Sequence, residues 1–197
     1  MPNAPCTVRH ACREDVPEIL AMIRELADYE KELASVEATE QKLLDTIAFA
    51  DPAVPSSPTT PQTEPITPTR PARCLILTTD SVSDSSNNND NNQAGTEVVG
   101  MALYFYSYST WRACAGIYLE DLYVRPAHRG KGFGKRLLVE LARETVAMGG
   151  GRLEWRVLNW NEPSIQFYRA IGAEPQTEWI GQRVDREALT KLAGMLD

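Results

Sequence analysis

Three glycines alternate in the stretch Arg129-Gly130-Lys131-Gly132-Phe133-Gly134-Lys135, between an apolar run ending at Val124 and an amphipathic run beginning at Lys135. Glycines let bare backbone N–H groups approach an anion, and a helix N-terminus adds partial positive charge. Arg129, Lys131 and Lys135 add full charges, so the stretch suits a pyrophosphate. A Walker loop is excluded, because Arg129 and Arg136 occupy the places it reserves for Gly and for Ser or Thr. The dinucleotide fingerprint GxGxxG is excluded too, since the spacing here is GxGxG. A surface turn with solvating charges is the competing reading of this segment taken alone.

Two further groupings could do chemistry. Glu120 and Asp121 are adjacent acids inside the apolar run 117–124, where a carboxylate could take a proton from an ammonium. Alternate strand residues face opposite sides, so the two cannot share a site without a bulge. A solvated edge carboxylate fits Glu120 equally well. Tyr168 follows Ser164 by one helical turn, and Asn161 stands at the start of the same segment. A phenol, with pKa near 10, stays protonated at neutral pH until a basic group such as a thiolate appears. Beside Phe167 and Ile171, Tyr168 also fits an ordinary core position.

These residues need elements to place them. Val16, Ile19, Leu20, Ile23, Leu26 and Ala27 recur at helical spacing behind Asp15 and Glu18, which resemble a capping box. Thr39 can cap a second helix carrying Leu43, Leu44 and Ile47. Strands are predicted over 73–79, 98–108, 117–124, 152–158 and 179–184. Helices are predicted over 135–148, with Leu137, Leu138, Leu141 and Ala142 inward, over 163–171, and after Asp185 as cap. The order predicts an α/β layer architecture on one mixed sheet. Two polar segments interrupt this single domain, at about 51–72, with seven of the 13 prolines, and at about 80–96, rich in Asn and Ser. The second reads as a long hairpin loop.

The chain of 197 residues is long enough for one domain with a proper core. Its net charge of −7 has the wrong sign for nucleic-acid backbones and suits cationic partners better. No apolar run approaches the roughly 18 residues of a membrane span, and no secretory start is visible, so an intracellular, cytoplasmic protein without membrane or nucleic-acid partners is expected. Four scattered cysteines suggest reduced thiols, and two histidines support no multi-histidine metal centre.

Arg129-Gly130-x-Gly132-x-Gly134 after a strand resembles the coenzyme A motif of the GCN5-related N-acetyltransferase (GNAT) superfamily. The blocks Glu25-Leu26-Ala27-Asp28-Tyr29-Glu30, Tyr118-Leu119-Glu120-Asp121 and Trp160-Asn161-Glu162-Pro163-Ser164-Ile165-Gln166-Phe167-Tyr168 resemble the diamine (spermidine/spermine) N-acetyltransferases. The resemblance implies a mostly antiparallel central sheet flanked by helices, and acetyl-CoA as acyl donor without a metal. It implies transfer to a primary amine of a small molecule, polyamine or diamine first and a lysine-like amino acid or protein lysine as the alternative. A non-catalytic coenzyme-binding regulator is the alternative of another class.

Residue by residue, the resemblance makes Glu120 the base, through water, with Asp121 on the other face, and Tyr168 the proton donor. Coenzyme contacts fall to Leu122, Tyr123, Val124, the loop Arg129, Gly130, Lys131, Gly132, Phe133, Gly134 and Lys135, and to Asn161 and Ser164. The acceptor side falls to Tyr29, Glu30, Glu120, Glu154 and Trp155, with Glu178 nearby. Homodimerisation is implied only by the resemblance. Ala170 and Ile171 stand where relatives carry basic residues after the tyrosine.

Overall fold

In the computed structural model, which describes residues 5–54, 57–80 and 96–196, the chain forms two units whose boundary falls between Arg156 and Val157. The first is built on a sheet in chain order: β1 (Thr7–His10), β2 (Ala72–Asp80), β3 (Thr96–Ser109), β4 (Cys114–Val124) and β5 (Leu153–Trp155). Strands β1 to β4 pair antiparallel, and β5 joins β4 in parallel. Asp80 lies opposite Thr96, so β2 and β3 form the predicted hairpin, while the Asn-rich residues 81–95 lie outside the described residues.

Three helices cover this sheet: α1 (Val16–Tyr29), α2 (Glu40–Thr46) and α3 (Phe133–Ala147). Val16, Ile19, Leu20 and Met22 of α1 and Leu43 of α2 bury against Cys74, Ile76, Met101 and Tyr123 on one sheet face. Thr39 caps α2 as predicted, its Oγ1 accepting from Lys42 N at 3.2 Å. The opposite face packs on α3, where Leu137 and Leu141 are fully buried, each stabilising the fold by about 1.5–3 kcal/mol.

Ala142 does not face inward as its spacing suggested; it is exposed, and Glu140, Glu144 and Thr145 are buried instead. The acids can be buried because each has partners. Glu144 accepts from Tyr104 and Tyr106 hydroxyls at 2.7 and 2.6 Å, and Glu140 is paired with Arg136 at 2.8 Å and Arg143 at 3.1 Å.

Other departures have equally local causes. Asp15 makes no side-chain cap on α1, because its carboxylate holds Arg9 at 2.6 Å and the Cys12 amide at 2.7 Å, while Glu18 reaches Arg125 at 2.7 Å. The predicted strand 152–158 shortens to β5, whose pairing stops at Leu119 of β4. Among its described residues the proline-rich segment makes isolated bridges, such as Ser57 with Thr60 and Thr67 with Arg70, but no ladder, and it is pinned. Glu64 pairs with Arg13 at 2.5 Å and Arg70 at 3.3 Å and accepts from Phe49 N at 3.3 Å. None of the four cysteines forms a disulfide; Cys12 and Cys74 are buried and Cys6 and Cys114 half-buried.

The second unit carries α4 (Glu162–Ala170) and α5 (Arg186–Ala193). Asn161 caps α4, its Oδ1 accepting from Ser164 N at 3.4 Å. Asp185 precedes α5 without capping it through its side chain. Residues 179–184 are not a strand: no neighbouring strand is described to supply a ladder, and Trp179 and Ile180 are exposed. No helix among the described residues is long and apolar enough to cross a membrane.

Candidate active site

The register of β3 and β4 slips where the two adjacent acids stand. Leu119 lies opposite Tyr104 and Asp121 opposite Leu103, so two residues of β4, Glu120 and Asp121, span the step between two neighbours on β3. The slip reverses the alternation of β4. Leu119 shares the α3 face with Tyr104, whereas Asp121 joins Leu103 and Tyr123 on the face covered by α1. The bulge is the condition under which Glu120 and Asp121 are not held to opposite faces by strand alternation.

Asp121 is the unusual acid of the pair. Burial, with the charges of Glu120 and Glu30 beside it, pushes its carboxyl up to about 6. Burial also raises Glu30, at the C-terminal end of α1. Glu120 is exposed. Glu154 joins the same face, since its partner in β4 is Tyr118 and its Oε2 lies 3.5 Å from Ser107 Oγ. Arg152 pairs with Glu154 at 2.5 Å. Trp155 registers with Leu119 and so belongs to the opposite face. One acidic face thus gathers Glu30, Asp121 and Glu154, with Glu120 in the bulge between them.

Because β5 follows β4 only as far as Leu119, residues 120–124 have β3 on one edge and, among the described residues, no strand on the other. Leu122, Tyr123 and Val124, the expected coenzyme contacts, lie on this free edge.

The glycine loop follows directly. Gly130 and Gly132 adopt φ of +76° and +84°, a left-handed conformation that other residues adopt at a cost. Gly132 is the N-cap of α3, and no side chain caps the helix, so the N–H groups of Phe133, Gly134 and Lys135 open its first turn. A Cβ built on Gly130 would meet nothing within 4 Å, leaving room beside the turn. An uncapped helix end, two left-handed glycines and Lys131 and Lys135 fit the diphosphate of acetyl-CoA. The base of the loop is stapled to α1: Arg125 donates to Glu18 at 2.7 Å, to Glu25 at 3.2 Å and to Val98 O at 2.9 Å. Arg129 donates through Nε to Val124 O at 2.9 Å, and its guanidinium carbon sits 5.5 Å from the ring centres of both Tyr29 and Tyr123.

In the second unit, Ser164 and Tyr168 lie a turn apart on α4, with the Tyr168 ring 5.3 Å from that of Phe167. Tyr168 is half-buried and Asn161 buried.

The sequence profile of the Acetyltransferase (GNAT) family matches residues 64–173, which span β2 to the end of α4. The chain belongs to this family. Acetyl transfer to an amine is accordingly the reaction of this GNAT enzyme, and acetyl-CoA is the family's acyl donor. The enzyme is 33% identical over 190 residues to a thialysine N-epsilon-acetyltransferase of Bos taurus, covering 95% of this chain and 96% of the relative. It is 31% identical to the spermidine/spermine N(1)-acetyltransferase-like protein 1 of Homo sapiens, over 94% of this chain and 23% of that protein. Among solved structures, an integron cassette protein from the V. cholerae mobile metagenome matches with a TM-score of 0.66 at 20% identity, over 96% of this chain and 98% of that one. That likeness shows the shared mixed fold.

One residue beside the glycine loop was not singled out from the sequence: Arg125, which reaches Glu18 and Glu25 of α1, pairs with residues a hundred positions away and carries no local signal.

Proposed function

We propose that this GNAT enzyme acetylates the terminal primary amine of a small cationic acceptor, a lysine-like amino acid of the thialysine class first and a polyamine second. The observation that carries the reading is the β4 bulge, which puts Asp121 on the face that carries Glu154, with Glu30 and Glu120 close enough to act on its carboxyl. Such a face attracts a cation and discriminates against a neutral amine. The lysine-like acceptor is placed first because the thialysine enzyme matches end to end, whereas the polyamine relative matches over only 23% of its length.

An alkylammonium has a pKa near 10.4 and cannot attack until it loses a proton. Glu120, exposed at the bulge, takes that proton through water, and Asp121 beside it holds the remaining positive charge. The free amine attacks the thioester carbonyl, the C–S bond breaks as the thiolate leaves, and the nitrogen sheds its second proton to water, which restores the proton that Tyr168 gives up. A backbone N–H on the free edge of β4, within 122–124, donates to the carbonyl oxygen as charge builds there. Tyr168 protonates the thiolate, with Asn161 and Ser164 on the same helix contacting the coenzyme. Tyr29, Glu30 and Glu154 bind the acceptor, and Trp155 supports β5 from the opposite face. The enzyme works as a cytoplasmic homodimer in this reading.

The test is substitution of the base. Glu120→Gln should lower kcat/KM by roughly 10²-fold or more while acetyl-CoA still binds. Unchanged kcat/KM would remove Glu120 from the chemistry.

A further inference from the structure

Glu18, Glu25 and Tyr29 lie along one side of α1 at helical spacing, and the two arginines that flank the start of the coenzyme loop meet them. Arg125 meets Glu18 and Glu25 by ion pairs. Arg129 meets Tyr29 differently, through a guanidinium whose carbon stands 5.5 Å from the Tyr29 ring and 5.5 Å from that of Tyr123. Its Nε is fixed on Val124 O at 2.9 Å, so the group is tied to the end of β4 while it holds the end of α1. Tyr123 is buried, which makes it a firm floor, and Tyr29 is 39% exposed, which makes it the part that would otherwise swing. Glu30 follows Tyr29 at once, and Lys31 after it takes a left-handed φ of +64° where α1 ends.

We propose that Arg129 is a positioning residue for the acceptor: packed against Tyr29 and Tyr123, it fixes the end of α1 that presents Glu30 to the amine. The inference rests on the acceptor reading given above and adds a second duty to a residue otherwise expected to serve the coenzyme. A lysine ammonium is also drawn to an aromatic face, but it lacks the flat fork that lies against Tyr29 and Tyr123 while Nε holds Val124 O. Charge and clamp can therefore be separated by one substitution.

Arg129→Lys keeps the positive charge for the diphosphate and loses the flat packing. With thialysine and with spermidine as varied acceptors, it should raise the amine KM by about 3- to 10-fold, and the acetyl-CoA KM by a smaller factor. Tyr29→Leu removes the ring on which Arg129 packs together with that ring's own contact to the acceptor, so it should raise the amine KM at least as much as Arg129→Lys. The double variant should be no worse than the poorer single one, since both remove the same contact. An amine KM unmoved in Arg129→Lys, a larger effect on acetyl-CoA than on the amine, or additive effects in the double variant would each overturn the inference. A wild-type enzyme that acetylates no amine would overturn the acceptor reading and this inference with it. A wild type that turns over while Arg129→Lys changes only the acetyl-CoA KM would overturn this inference alone.

Discussion

Asp121 lies opposite Leu103, one residue out of step with the Leu119–Tyr104 pair beside it. That slip turns a carboxyl group from the α3 face to the acidic face, where burial and two neighbouring acids push it up to about 6. Below about pH 6 Asp121 is neutral and the face loses a negative charge, so the amine KM should rise as pH falls through 6. In Asp121→Asn this limb should vanish from the pH profile. Persistence of the limb in that variant would assign it to another group.

The same shift predicts the stability of the variant. The folded pKa of about 6 exceeds the unfolded value near 3.8, so the folded state binds the proton more tightly. Ionised Asp121 therefore weighs against the fold above pH 6, and the penalty disappears as pH falls below about 4. Urea melts of Asp121→Asn should show a gain of about 1–3 kcal/mol at pH 8 and little change at pH 4.

Tyr168 offers a cleaner chemical test, because its replacement by Phe removes only the hydroxyl. Tyr168→Phe should lower kcat by roughly 10²-fold or more, since a lost general acid leaves the thiolate without a proton. Coenzyme binding measured by calorimetry should persist. A variant with full kcat would assign the acid role elsewhere.

Gly132, at φ +84°, ends the coenzyme loop and opens α3. Gly132→Ala should strain this turn by about 1–2 kcal/mol and raise the acetyl-CoA KM several-fold, with a smaller effect on the amine KM. Equal effects on both substrates would show that the loop serves the acceptor as much as the coenzyme.

Glu144 holds two phenols from inside the fold. Glu144→Gln replaces one accepting oxygen by an NH2 group, so one tyrosine hydroxyl loses its acceptor. Unfolding free energy should fall by about 1–3 kcal/mol. A melting curve superimposable on the wild type would mean that the network re-forms around the amide.

Much of this architecture was legible as pattern. The glycine loop, α1, α2, the β2–β3 hairpin and β4 each announce themselves through spacing that is local to the chain. What was not legible depended on a partner elsewhere. The bulge is a property of β3 and β4 together, and no residue of 117–124 states it alone. Strand β1 is four residues long and three of them are polar, with buried His10 partnered by Tyr104, whose Oη lies 3.0 Å from its Nε2. Glu140 and Glu144 broke the hydrophobic row of α3 because their partners lie on β3 and on neighbouring turns of α3 itself. Residues 179–184 have strand composition but no described strand beside them.

The most direct test of the central claim is a steady-state assay with acetyl-CoA and a panel of thialysine, L-lysine, putrescine, spermidine, a neutral hydroxyalkylamide and a lysine peptide, with acetylated product identified by mass. Efficient product from thialysine or a polyamine, and none from the neutral compound, is expected. Acetyl-CoA bound but no small amine acetylated, or turnover of the peptide lysine alone, would contradict it.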